Sequence, residues 1–491
     1  MTSPAAAIID GENVSGSGGP IVVVDPSTEE TIAEFAEAET ALVDRAVASA
    51  RATFERGDWR AASVEQRQAV LRRCADAIDA HADEIADIEC ANTGIPYAQI
   101  RNGQIVRAAG NFRFFADYIG QATAELYEQE PNYLTYVRRE PVGVAALIAP
   151  WNSPLALGSM KVASAIAFGN SCVLKPAEQD PLGLTRLVEV IQGAGLPPGV
   201  VNLVNGGGAT TGDALVRHAG IDCVSFTGGT RTGKIIMTAA GAALKPAVME
   251  LGGKSANIIF DDADFEAALD GALIGIFSNN GQQCLAGSRV LVQRGIYDRF
   301  IEAFVDRAKK VRVGDPRDPA TEIGPLATRR HYDHVMGFVP APGDKSARIL
   351  AGGGRAHGFD RGFYFQPTIV EVDSNAQRLC QEEIFGPFAT VMPFDSDEDA
   401  YAAANDSRFG LVGYAWSRDI ARIMAAQERI SAGTIWCNTP MIRDLRAPFG
   451  GYRESGVGAE GGRAAEAFYT RQKAVSIPRR PLNLRKLGMN G

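Results

Sequence analysis

The sequence predicts an α/β protein built from a doubly wound unit, a second α/β unit and a separate β arm, on three observations. Between residues 142 and 251 the chain alternates strand-like and helix-like runs, the pattern of a sheet wound on both faces. From 252 to about 438 a second alternation of strands and helices follows. Residues 122–141, including Tyr133-Leu134-Thr135-Tyr136-Val137, alternate apolar and polar positions, with no helix nearby to cover them. At 491 residues the chain exceeds one simple core, so two or three domains are expected.

In order, the opening to Pro20 is small and polar, with Gly16-Ser17-Gly18-Gly19, and reads as a loose tip. A strand over 21–24 and a helix over 41–54 follow. Ser63 and Gln66 form a capping-box pattern that starts a second helix, whose inner face carries Leu71, Cys74, Ile78 and Ile85. A third helix runs through Ile105, Ala109, Phe112 and Phe115. Strands are legible over 142–148, 171–174, 200–204, 223–226 and 247–251, with helices over 157–168, 183–192, 210–218 and 232–240. A sheet of this kind binds ligands at the carboxyl ends of its strands. The loops there are Pro150-Trp151-Asn152-Ser153-Pro154, Lys175-Pro176-Ala177-Glu178, Gly206-Gly207-Gly208 and Thr227-Gly228-Gly229-Thr230. A closing strand over 474–477 and a basic tail complete the chain, the tail reading as a solvated end.

A formal charge of −9 argues against a nucleic-acid or anionic-membrane surface. No apolar run reaches membrane-spanning length, and the first twenty residues lack a basic segment ahead of an apolar one, so the cytoplasm is the expected compartment. The seven cysteines are scattered without CxxC spacing, and the five histidines without HExxH, so neither a disulfide framework nor a metal site is expected.

The chemistry gathers at Asn279-Asn280-Gly281-Gln282-Gln283-Cys284-Leu285-Ala286-Gly287, a polar, glycine-flanked segment between a helix over 265–278 and a strand over 289–293. A thiol placed there is reachable and can act as a nucleophile. Upstream, Glu250 ends an apolar strand and meets the Gly252-Gly253 turn. A carboxylate half-buried at such a strand end acquires a raised pKa and suits a general base. Glu250 and Cys284, 34 residues apart and each with its glycine turn, resemble the paired signatures of the NAD(P)-dependent aldehyde dehydrogenase superfamily.

That resemblance implies a doubly wound Rossmann-type NAD domain over 1–121 and 142–251 and an α/β catalytic domain over 252–450. It also implies an oligomerisation arm over 122–141 and 471–491. Both arm segments present strand edges that need a partner, so a homodimer or homotetramer is expected. By the same resemblance Cys284 attacks the aldehyde, Asn152 and the Cys284 N–H hold the oxyanion, and Glu250 activates the hydrolytic water. The cofactor residues it implies are Trp151, Lys175, Glu178, Gly208, Thr227, Gly228, Gly229, Leu251, Glu383 and Phe385. Glu178 would bond ribose hydroxyls and repel a 2′-phosphate, favouring NAD over NADP. Lys161 and Glu460 match positions that relay a proton from the base, although as isolated charges they read slightly better as surface residues. The resemblance departs locally at Arg453, where Lys is more usual, and at Ala459, where Arg is common.

Aromatic tunnel positions of the family are Ser153, Leu157, Met160 and Gln283 here, leaving Phe449 as the one aromatic wall. Arg107 and Arg443 match carboxylate-binding positions of the 2-aminomuconate and 2-hydroxymuconate semialdehyde dehydrogenases. A guanidinium in a partly dry pocket pairs well with a carboxylate. The expected substrate is therefore a carboxylate-bearing semialdehyde from aromatic ring cleavage. The competing reading pairs Arg443 with Asp444 or with a neighbouring subunit and leaves Arg107 in solvent, and a neutral aromatic or aliphatic aldehyde then becomes the substrate. Other classes fit less well. Retention of Glu250 argues against transfer of the acyl group to coenzyme A, no histidine motif supports a cysteine hydrolase, and intact Cys284, Glu250 and Asn152 argue against a non-catalytic binding protein.

Overall fold

The computed structural model describes residues 5–489. Its first sheet has eight strands, in the order Glu12–Val14, Ala7–Ile9, Val201–Val204, Ser171–Lys175, Val144–Ile148, Cys223–Thr227, Ala247–Glu250 and Gly456–Val457. The five from Val201–Val204 to Ala247–Glu250 run parallel, and the flanking strands pair antiparallel. Chain direction reverses its progress across the sheet between Val144–Ile148 and Cys223–Thr227, which opens a crevice at their carboxyl ends.

Every residue of Val144–Ile148, Ser171–Lys175 and Cys223–Thr227 is buried, as expected of parallel strands covered on both faces. One face is covered by helices Val64–Ala80, Ala82–Thr93, Ile105–Ile119, Pro154–Ala167 and Leu182–Gly193, the other by Thr40–Arg56 and Thr230–Ala242. The second sheet has seven strands, in the order Ala347–Ala351, Thr368–Val372, Phe388–Phe394, Arg289–Gln293, Ala256–Ile259, Val412–Trp416 and Thr434–Cys437. All its pairs are parallel except the first. Strand Arg289–Gln293, which follows the Cys284 segment, lies at its centre.

Three expectations change. The opening is not loose: Ala7–Ile9 is wholly buried between Glu12–Val14 and Val201–Val204, because its three apolar residues pack into the cores on the two faces of the sheet. Met1 to Pro4 lie outside the described residues. Ile85 does not belong to the helix of Leu71, Cys74 and Ile78, since the chain leaves helical geometry at His81, with φ −107° and ψ 16°, and restarts. The capping box at Ser63 and Gln66 is formed, Gln66 N–H donating to Ser63 Oγ at 3.1 Å and Ser63 N–H to Gln66 Oε1 at 2.8 Å. Third, the two arm segments are each other's partners, Thr470–Pro478 pairing antiparallel with Tyr133–Pro141 along its whole length. Leu126–Tyr127 adds a third strand with both residues exposed.

Among the described residues no helix is long and apolar enough to cross a membrane. The last two residues of the basic tail lie outside the described residues, and the preceding stretch from Arg479 is exposed.

Candidate active site

Glu250 is the last residue of its strand, paired in register with Thr227, and the chain then turns through Gly252 and Gly253. The turn abuts the Cys284 segment: a Cβ on Gly253 would lie 2.5 Å from the Cys284 carbonyl oxygen, so only glycine lets the two backbones approach. Asn279 and Asn280, both with positive φ, bend the chain out of helix Phe265–Phe277. Asparagine tolerates that geometry. Asn280 Nδ2 donates to the carbonyls of Gly94 and Pro325 at 3.0 and 2.9 Å, tying the bend to its surroundings.

Asn152 stands against the same segment. Its Nδ2 donates to the Gln282 carbonyl at 2.8 Å, while Asn279 Nδ2 donates to the Asn152 carbonyl at 2.8 Å. Cys284 itself is half-buried. Burial pushes its thiol up to about 12, the Glu383 and Glu250 carboxylates adding to the effect and Arg443 opposing it. Glu250 is buried, and neither carboxylate oxygen has a hydrogen-bond partner among the described residues. Its pKa is raised well above the usual carboxylate range by burial first and by Glu460 second, with Lys161 and Arg443 pulling the other way.

Behind it lies an ion pair that isolated charges did not reveal. Lys161 Nζ is 2.6 Å from Glu460 Oε1 and donates to Ser225 Oγ at 2.9 Å. Lys161 is 0 % and Glu460 9 % exposed, so the surface-charge reading is wrong. Helix Pro154–Ala167 is buried on nearly every side, so its single charge had no exposed face to occupy.

The two arginines converge here as well. Arg107 lies on helix Ile105–Ile119, and Arg443 on the loop after Thr434–Cys437, where its guanidinium sits 4.3 Å from the Phe449 ring centroid. Arg107 Nη2 and Arg443 Nε and Nη2 are buried without a partner among the described residues. Asp444 pairs with Arg446 at 2.6 Å rather than with Arg443. Burial and the neighbouring Arg443 push Arg107 down to about 10, with Glu460 and Cys284 opposing. Burial likewise lowers Arg443. Of the remaining tunnel positions, Met160 and Phe449 are buried and Ser153, Leu157 and Gln283 are half-buried.

The crevice of the first sheet fits a dinucleotide. Helix Thr230–Ala242 begins at Gly229 with no side-chain cap, leaving its first amides free for phosphate. Among the described residues Thr227 Oγ1 is buried without a partner and no atom would obstruct a Cβ at Gly208 or Gly229, so both backbones are open to a ligand. Lys175 is 2 % exposed, donates to the Pro176 carbonyl at 2.6 Å and stands 3.8 Å from the exposed Glu178 carboxylate. Glu383 accepts the Gly253 N–H at 3.0 Å, and its carboxyl is pushed up to about 7 by burial. Leu251 is buried, its N–H donating to the Ser455 carbonyl at 2.9 Å.

Trp151 and Phe385 meet edge-on at 5.2 Å, with Phe385 held at φ +62°. His331, which no sequence motif marked, packs 5.0 Å from Trp151 and lies 2.6 Å through Nε2 from the Phe385 carbonyl oxygen. Glu37 is a second residue without a motif: its carboxylate accepts the Gly207 N–H at 2.8 Å and the Thr210 hydroxyl at 2.7 Å.

Residues 14–475 match the aldehyde dehydrogenase family. The chain is 43% identical over 460 residues to 5-carboxymethyl-2-hydroxymuconate semialdehyde dehydrogenase of Escherichia coli, covering 92% of this chain and 97% of that one. It superposes on the crystal structure of HpcC from Thermus thermophilus with a TM-score of 0.95 at 41% identity, covering 99% of this chain and 95% of the other. The NAD+ complex of an aldehyde dehydrogenase from Bacillus cereus gives a TM-score of 0.95 at 38% identity, covering 98% of each chain.

Proposed function

The chain belongs to the aldehyde dehydrogenase family, and from that premise we propose that it oxidises a carboxylate-bearing semialdehyde of the 2-hydroxymuconate type to the dicarboxylic acid. It is an NAD-dependent enzyme acting on aldehydes. One observation carries the substrate reading: Arg107 and Arg443 hold three buried guanidinium nitrogens that have no partner among the described residues, beside the thiol. An arginine pair left unpaired in a dry pocket is stabilised by the anion it meets. The similarity to the Escherichia coli enzyme points the same way.

The Cys284 sulfur adds to the aldehyde carbon as its proton departs to solvent. The oxyanion so formed accepts hydrogen bonds from the Cys284 N–H and from Asn152 Nδ2, once that amide turns from the Gln282 carbonyl. NAD, when bound, supplies the hydride acceptor, and the carbon is left as a thioester on Cys284. Glu250 takes a proton from water, the hydroxyl adds to the thioester carbon, and cleavage of the C–S bond releases the acid and the thiol. Lys175 and Glu178 would hold the adenosine ribose. Thr227, Gly228, Gly229 and Gly208 would line the pyrophosphate and adenosine, and Glu383 would hold the nicotinamide ribose. Trp151, Leu251 and Phe385 would surround the nicotinamide.

The cofactor domain comprises residues 1–121 and 142–251, the catalytic domain 252–450, and the arm 122–141 and 471–491. The three-stranded arm still offers open edges, which supports a homodimer or homotetramer. Seven free thiols support work in the reducing cytoplasm.

The test is NADH formation with 2-hydroxymuconate semialdehyde, succinate semialdehyde, benzaldehyde and hexanal, for wild type, Arg107→Ala and Arg443→Ala. The muconate semialdehyde leads, and each arginine variant loses about 30-fold or more in kcat/KM for it, the worth of a charged hydrogen bond of about 2 kcal/mol. Neutral aldehydes are spared. If neutral aldehydes lead and the variants are silent, the substrate reading is wrong and the family assignment stands.

A further inference from the structure

The adenosine end of the crevice carries a carboxylate that the resemblance did not assign. Glu37 lies just after strand Thr31–Ala36 and reaches across to the Gly206-Gly207-Gly208 turn. One of its oxygens, Oε2, takes both the Gly207 N–H and the Thr210 hydroxyl, at 2.8 and 2.7 Å. Those hydrogen bonds, with the nearby Lys175 ammonium, hold the carboxyl below the usual carboxylate range, so it is charged at neutral pH. Lys175 packs against the helical turn Gly208–Gly212 that follows, a Cβ on Gly212 lying 3.5 Å from its side-chain carbons.

Lys175 is thus a cation influenced by two carboxylates, Glu178 at 3.8 Å and Glu37, which is held on the neighbouring glycine turn. These three groups together carry one more negative charge than positive before any cofactor arrives. A ribose with two hydroxyls adds no charge there. A 2′-phosphate adds a dianion beside an ammonium, Lys175, that already has two carboxylate neighbours.

We propose that Glu37 is a second specificity-determining residue, which acts with Glu178 to exclude 2′-phosphorylated dinucleotides by holding a fixed negative charge against the Gly206–Gly208 side of the ribose site. The inference rests on the reading that Lys175 and Glu178 hold the adenosine ribose. It predicts that replacing Glu178 alone leaves selectivity incomplete in its loss, because half of the negative field remains.

The experiment measures kcat/KM with NAD and with NADP for wild type, Glu37→Gln, Glu178→Gln and the double variant, at low and high salt. Glutamine keeps an acceptor for Gly207 and Thr210, so the turn retains its support. Expected for Glu37→Gln is a rise of about three- to ten-fold in the NADP/NAD ratio, produced by a gain with NADP and shrinking as salt is added. The double variant exceeds either single one. An unchanged ratio in Glu37→Gln, including one that arises because both cofactors lose equally, overturns the proposal. If Glu178→Gln raises the ratio while Glu37→Gln does not, Glu37 only props the turn and the ribose reading survives. If neither raises it, the placement of the adenosine ribose fails as well.

Discussion

Two opposite substitutions in the buried ion pair behind Glu250 give the sharpest test of the base. Glu460 raises the Glu250 pKa, Lys161 lowers it, and the two lie 2.6 Å apart at 9 % and 0 % exposure. A base works in its ionised form, so kcat rises with pH through the pKa that Glu250 has in the acylated enzyme. Glu460→Gln removes a negative charge and leaves Lys161 unopposed, so the Glu250 pKa falls and the acid limb moves to lower pH. Lys161→Met removes the positive charge, so the limb moves to higher pH. Charges a few ångströms apart in a medium of intermediate dielectric interact by about 1–3 kcal/mol, which sets each displacement at roughly one pH unit. Either single change strands a buried charge and costs about 3–5 kcal/mol of stability, whereas the double variant Lys161→Met/Glu460→Gln strands none. Profiles of kcat against pH and thermal midpoints are measured on all four proteins. The double variant returns toward wild type in both. If the two single variants lose stability but their acid limbs coincide with the wild-type limb, the pair is structural and the argument that it tunes Glu250 is refuted.

Two further outcomes follow from groups no motif marked. His331 neighbours both Trp151 and the Phe385 carbonyl, while the positive φ of Phe385 costs about 1 kcal/mol. His331→Ala therefore raises KM for NAD about ten-fold, and His331→Gln, which can still donate to the carbonyl, recovers most of it. A change in kcat alone, with KM for NAD untouched, would refute that role. The second concerns Glu89 and Asp180, buried carboxylates whose four oxygens have no donor among the described residues. Burial pushes Glu89 up to about 8, and burial with Glu89 raises Asp180. A carboxyl whose folded-state pKa is raised binds more protons folded than unfolded, so stability falls as pH climbs from the ordinary carboxylate value of about 4 toward 8. Asp180→Asn leaves Glu89 without that charged neighbour, so unfolding by urea at pH 5 and pH 8 shows a smaller difference than in wild type. An unchanged difference would remove the pair from the explanation.

Local regularities were readable before any fold was known. The capping box at Ser63 and Gln66, the strand Arg289–Gln293 and the parallel strands from Val144–Ile148 to Ala247–Glu250 all follow from nearest-neighbour chemistry and periodicity. Periodicity failed where it ran on through a kink, as at His81, which carried Ile85 into the wrong helix. It also gave no partner for the arm strands, because pairing between Tyr133–Pro141 and Thr470–Pro478 joins segments from opposite parts of the chain.

By itself the sequence determined the residue types the chemistry needs: a thiol in a polar turn, a carboxylate at a strand end, and glycines where backbones must touch. Spacing along the chain encodes these, since each depends on its own few neighbours. Only the tertiary structure decided that Lys161 is buried against Glu460, that Asp444 takes Arg446 and leaves Arg443 free, and that Glu37 shares Lys175 with Glu178. Those are facts of solvent exclusion and charge proximity between distant segments, and a charge acquires its pKa and its partner only when folding removes the water around it.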